Sequence, residues 1–276
     1  MFRQFLFWLL PKRKKNITYG LRSGGALEHI PDKRDYLVSG TTINSPVLPS
    51  SFSLRGNGLT RVEDQGEYNS CVAHAISTAI ETMAVNSGWS NYFELSRMHL
   101  YNEGRKISGT YPENQGMYTR DAWKAVQKPE IGITIEKLFP YSRENFNVAL
   151  PSNGASIFRN WYPKFNYYWI DGTIQSEKEA LIKDAIFNKR VPVVFATPIP
   201  ASFLNAKSKE VYSPTTNENI QFYHAMLVTG WDDSRGCFEV MNSWGPVWGR
   251  EGFIDIEKKW LLSNGYNWSY PEKRRE

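Results

Sequence analysis

The chain has 276 residues, 41 % hydrophobic and 22 % charged, with ten Trp, fifteen Tyr and fifteen Phe. That balance excludes a disordered or low-complexity polypeptide and provides for a sizeable core, expected as two lobes sharing a cleft. The formal net charge is +5, but Arg3, Lys12, Arg13, Lys14 and Lys15 stand in residues 1–15 without an acid, so the rest is neutral and nucleic-acid binding is not expected.

Residues 1–15 form an apolar and basic tail. The run Phe5 to Leu10, FLFWLL, is too short to span a bilayer, which takes about 20 apolar residues. It is also a poor signal peptide, because its basic cluster follows the apolar run. Aromatics followed by cations do suit weak contact with an anionic membrane surface. Residues 16–47, rich in Gly, Ser, Pro and Thr, read as an extended leader. The compact part begins near Leu48, with 48–150 mainly helical and 151–276 mainly β.

From Ser70 to about Ala84 apolar residues recur at helical intervals (Val72, Ala75, Ile76, Ile80, Met83), which predicts a buried helix. Shorter helices are expected over Leu95 to Tyr101 and Arg120 to Gln127, with the glycines and proline of EGRKISGTYPENQG making a loop between them. From about Val191 the runs VPVVFA, HAMLVTG, CFEVMN and GFIDI read as strands bounded by turn residues. Helices first and strands later predict an α+β protein.

Only two cysteines occur, Cys71 and Cys237, so no disulfide framework is available, and with no convincing signal peptide a cytoplasmic monomer is expected. The histidines His29, His74, His99 and His224 lack zinc-site spacing, and neither metal nor other cofactor is expected. Cys71 stands at the start of the first helix, where unpaired backbone N–H groups favour a thiolate, and a nearby imidazolium would favour it further. His224 and Asn242 are equidistant from position 233 in the turn Asp232 to Gly236. A regular hairpin would set them opposite each other, with the amide oxygen taking the ring N–H. Gln65 stands ready to join the Cys71 N–H in holding an oxyanion. His74, one turn along, is a rival base but is expected in the core, and Cys237 reads as a packing residue.

Together the spacing of Gln65 to Cys71, the HAMLVTG run and NSWGPVWGREGF, Asn242 to Phe253, resemble the papain-like cysteine proteases. LPSSFSLR, at Leu48 to Arg55, is similar to that family's mature start. The resemblance spans about Leu48 to Ile256. It implies a papain-like two-lobe fold: a helical left lobe, an antiparallel β-barrel-like right lobe and the active site between them. It also implies a Cys71–His224–Asn242 constellation with Gln65 as oxyanion donor. Trp244 would cover His224 and Asn242, and Trp248 would wall the leaving-group side. Asn69, Ser70, Gly116, Met117, Tyr223 and Ala225 would line the substrate cleft, with Met117 and Ala225 favouring an apolar residue second before the cut.

Three departures surround the nucleophile. Tyr68 replaces a disulfide cysteine, Asn69 a glycine of the cleft floor and Val72 an aromatic, which aligns the chain with disulfide-poor bacterial-type members. PDKRDY, Pro31 to Tyr36, is similar to their short leaders and implies a segment able to lie across the cleft, hence a zymogen. The expected activity is endopeptidase hydrolysis through a thioester acyl-enzyme, autoinhibited by the N-terminal segment, on a peptide or protein substrate. Acyl transfer or exopeptidase action on the same fold, and a catalytically silent binding or regulatory protein, are the alternatives.

Overall fold

The computed structural model describes residues 24–27, 37–38, 47–89, 94–128, 131–150, 164–172, 174–206, 210–215 and 218–274. The 1–15 tail, PDKRDY and much of the leader lie outside these residues.

The first long helix, α1 (Cys71–Asn86), is enclosed: every residue from Cys71 to Ala84 is buried, which explains its apolar run and its few charges. It ends at Ser87, and Gly88 leaves in a left-handed conformation. Helix α2 (Arg97–Ser108) begins at Ser96, whose side chain accepts from the His99 N–H, and closes at left-handed Gly109. It therefore runs through Ser108, where a loop from Glu103 was expected. Gly104 is no breaker: a Cβ there would stand 2.3 Å from the Met117 sulfur, so the glycine gives that side chain room against the helix. Helix α3 (Thr119–Gln127) lies as expected, and α1 packs against both α2 and α3.

Beside these helices stands an 8-stranded sheet. In spatial order its strands are β2 (Leu37–Val38), β5 (Phe165–Ile170), β10 (Tyr266–Lys273), β6 (Val193–Pro200), β7 (Ile220–Asp232), β8 (Cys237–Met241) and β9 (Phe253–Glu257), with β3 (Ser51–Ser53) also on β7. All neighbours are antiparallel except β2 with β5. Helices α4 (Gln175–Phe187) and α5 (Lys258–Asn264) pack on the sheet. Helix α1 lies against β7, which brings the start of α1 to the strand that carries His224. The arrangement is α+β, with the expected strands at β6 to β9. Among the described residues no helix is long and apolar enough to cross a membrane.

One buried ion pair ties the helices together. Arg97 Nη2 lies 2.9 Å from Glu81 Oε2, and both side chains are almost wholly buried. Glu81 also accepts from the Leu95 N–H at 2.7 Å, so its carboxylate joins α1 to the start of α2. Glu81→Ala would leave the guanidinium buried without its main counter-charge, and a loss of about 3–5 kcal/mol in urea unfolding is expected. A loss within about 0.5 kcal/mol, the range of ordinary surface changes, would refute this role.

Candidate active site

Cys71 is the first residue of α1, with no exposed surface. The N–H of Ala225 on β7 points to its sulfur at 3.3 Å. The residue before Ala225 is His224, so packing α1 on β7 gathers thiol and imidazole from positions 153 apart in sequence.

His224 Nε2 meets Asn242 Oδ1 at 2.7 Å, both residues being buried. Because the same oxygen accepts from the Ser243 N–H at 2.7 Å, it acts as acceptor, and the imidazole proton belongs on Nε2. Nδ1 is then the basic nitrogen. The pairing does not arise from the expected register. The ladder closes with Asp232 opposite Cys237, and an irregularity between Val228 and Gly230 puts Leu227 opposite Met241. Continuing that ladder sets Asn242 across from Met226, not His224. The shift is two residues, which keeps both side chains on one face as diagonal neighbours within reach.

The aromatics close this pair off. The Trp244 ring lies 4.9 Å from the His224 ring, and Trp248 stands edge-on to Trp244 at 5.1 Å. Trp248 also packs on Phe203 at 5.4 Å. Gln65 is buried and pinned: its N–H donates to the Ser243 carbonyl, its Oε1 accepts from the Ser243 hydroxyl, and its Nε2 donates to the Tyr68 carbonyl at 2.8 Å. An amide nitrogen has two hydrogens, so one remains for a ligand. Ser70 turns its hydroxyl inward, to Tyr141 at 2.5 Å and to His74 Nδ1 at 3.3 Å. His74 is buried in the helix packing, and burial, then the Arg97 charge, lowers its pKa to about 3, so it stays neutral.

A short segment of the leader covers the thiol. Strand β1 (Ala26–Leu27) pairs parallel with β4 (Met117–Tyr118), Ala26 opposite Met117. The Met117 N–H donates to the Gly25 carbonyl at 2.9 Å. The space is narrow. A Cβ on Gly24 would fall 1.7 Å from the Tyr223 carbonyl oxygen, one on Gly25 1.9 Å from that of Asn69, and one on Gly116 2.2 Å from that of Gly25. Asn69, Gly116, Met117 and Tyr223 therefore border the segment that lies over the thiol, Ala225 borders the thiol itself, and Ser70 precedes it in the chain with its hydroxyl turned away to Tyr141. Asn267 Nδ2 adds a contact to the Leu27 carbonyl at 3.3 Å. The residues in this place are Gly24 to Leu27, a position that sequence reasoning did not assign; the adjacent glycines are the only sign of it.

Burial pushes the Cys71 thiol up to about 11, and the N–H groups of Ala225, Gly25, Val72 and Cys71 itself only partly offset it. The helix N-terminus thus does not deliver a thiolate while the sulfur is buried away from water. Among the described residues no His, Cys, Asp and Glu cluster is arranged to hold a metal.

Comparison with known proteins gives the chain's family and fold. Residues 48–266 match the model of the papain family cysteine protease. The chain is 26 % identical over 266 residues to a peptidase C1-like protein of Acanthamoeba polyphaga mimivirus, covering 87 % of this chain and 83 % of that one. It is 25 % identical to vignain of Ricinus communis, over 82 % of this chain and 61 % of that one. With a gamete and mating-type specific protein of Dictyostelium discoideum the covered share of the relative is 44 %, so the chain spans about half the length of some relatives. In structure it is similar to xylellain, a cysteine protease of Xylella fastidiosa, at TM-score 0.77 and 24 % identity, covering 92 % of this chain and 97 % of the other. A procathepsin L of Tenebrio molitor larval midgut follows at TM-score 0.67 and 19 % identity, covering 92 % and 77 %. These likenesses establish the papain-like two-lobe fold.

Proposed function

Because the chain belongs to the papain family of cysteine proteases, we propose that it is a cysteine endopeptidase acting through Cys71, His224 and Asn242, held latent by residues 24–27. The observation that carries the reading is the 2.7 Å bond from His224 to Asn242 beside a thiol seated on the Ala225 N–H. His224 Nδ1 takes the Cys71 proton. The sulfur attacks the scissile carbonyl carbon, and a C–S bond forms. The oxyanion is held by the Cys71 N–H and the second Gln65 amide hydrogen. Collapse breaks the C–N bond as His224 returns the proton to the leaving amine. Water, deprotonated by His224, then cleaves the thioester.

Latency is supported by what faces the sulfur. The segment lies parallel to Met117–Tyr118 and its Gly25 N–H hydrogen-bonds the thiol, so it occupies the place beside the nucleophile. Ala26, buried opposite Met117, occupies an apolar place, which supports an apolar preference for the substrate's second residue before the cut.

An epoxysuccinyl-peptide reagent tests the reading. At neutral pH one equivalent is expected on Cys71 and none on buried Cys237, slowly in the intact chain because each event waits for Gly25 to leave. Peptide mapping without a Cys71 adduct would favour the silent binding protein instead.

A further inference from the structure

The walls of the cleft meet at one side chain that the reaction itself does not use. Asn114, in the loop between α2 and β4, reaches the turn that leads into Cys71. Its Oδ1 accepts from the Asn69 N–H at 3.1 Å, its Nδ2 donates to the Glu67 carbonyl at 3.2 Å, and its own carbonyl accepts from Asn69 Nδ2 at 2.6 Å. Both Asn69 and Asn114 thus bind each other through side chain and backbone, a two-way clasp across 45 residues.

The Asn114 end is held from behind. The Tyr101 hydroxyl lies 2.8 Å from both Asn114 Oδ1 and the Gln115 carbonyl. Arg105 donates to the carbonyls of Pro112, Glu113 and Tyr101 and to the side-chain oxygens of Asn102 and Asn147. All five guanidinium donors are spent on neutral oxygens, and its Cζ lies 4.0 Å from the Tyr101 ring centroid and 4.7 Å from that of Phe146. Tyr68, from the nucleophile turn, stacks on that same Phe146 at 4.9 Å. The stretch 112–115 is therefore rigidly mounted on α2, and three residues beyond Asn114 comes Met117, whose N–H holds the Gly25 carbonyl.

On the peptidase reading two groups act on one peptide: the Met117 N–H, which here holds the Gly25 carbonyl, and the Cys71 sulfur. We propose that Asn114 is a positioning residue that sets the distance between these groups by clasping the Glu67–Asn69 turn to the Met117 wall. The assignment rests on the peptidase reading for its purpose. A misplacement of about 1 Å between gripped and attacking atoms lowers rates about 100-fold, so a clasp here controls alignment more than folding.

The test compares two alkylating reagents on the full chain: a dipeptidyl chloromethyl ketone, which needs the Met117 grip, and iodoacetamide, which does not. In each the Cys71 sulfur forms a C–S bond as the carbon–halogen bond breaks and the halide leaves to solvent, and each needs residues 24–27 displaced, so the ratio of their rate constants cancels that step. Asn114→Ala is expected to lower the ratio about 10- to 100-fold. Tyr101→Phe keeps the ring packing and removes one support; a drop of about threefold to tenfold is expected, and this variant carries the test where Asn114→Ala does not fold. An unchanged ratio, or equal slowing of both reagents, overturns the proposal. Hydrolysis by the unmutated chain is scored separately: a chain that cuts no peptide yet loses the ratio in Asn114→Ala retains the clasp and ends the peptidase reading.

Discussion

Cys71→Ala is expected to reduce peptide hydrolysis on the order of 10⁶-fold, with His224→Ala close behind and the double variant no worse than either, because nucleophile and base act as one unit. Gln65→Ala, which removes a single oxyanion donor, is expected to cost about 100- to 1000-fold. The Cys71 substitution deletes one buried sulfur and its contact with the Ala225 N–H. That costs about 1–3 kcal/mol of stability, too little to unfold an ordinary domain. Thermal unfolding alongside steady-state assay separates the two effects. Activity in Cys71→Ala above about one per cent of the starting value would reject the nucleophile, since the surviving oxyanion and binding groups retain far less than that.

The second large effect runs the other way. Placing a Cβ on Gly24 or Gly25 demands space within 2 Å of a backbone oxygen of Tyr223 or Asn69, and neither strand nor nucleophile turn yields easily. In the intact chain Gly24→Ala/Gly25→Ala is therefore expected to push the segment out of the cleft. A bias of about 2.7 kcal/mol towards the open state raises activity about 100-fold without any cleavage of the leader. The thiol reports the same event. With a covered-state pKa of about 11, roughly one sulfur in 10⁴ is ionised at pH 7. Uncovering removes the burial that raised the value, so the alkylation midpoint moves down in pH and labelling at neutral pH accelerates. Equal activity and an equal midpoint in the variant and the parent chain would end the latency proposal.

Residues in the interior and residues with reactive side chains were the ones legible in advance. The run from Val72 to Met83 announced a buried helix because only an enclosed helix is apolar nearly all round. The sequence ends the second helix at Tyr101 and starts a loop at Glu103, yet α2 runs through Ser108, since a glycine such as Gly104 carries no sign in sequence of whether it breaks a helix or admits a neighbour's sulfur. The register of His224 and Asn242 lies two residues from that of a hairpin centred on position 233, because the turn sets Asp232 opposite Cys237 and is centred between Ser234 and Arg235, while the bulge near Thr229 takes back one residue of the offset; neither the turn centre nor the bulge shows in the hydrophobic pattern.

By itself, then, the sequence determined which groups are available for chemistry: Cys71, His224, Asn242 and Gln65 are identified by residue type and by spacing within local motifs. Only the tertiary structure decided how they are used. Whether the thiol is ionised depends on its burial and on backbone N–H groups as distant as that of Gly25, 46 positions earlier, and on our proposal its alignment with the Met117 wall depends on hydrogen bonds from Asn114, 45 positions after Asn69. Desolvation and long-range backbone contacts are properties of packed surfaces, and no local run of residues encodes them.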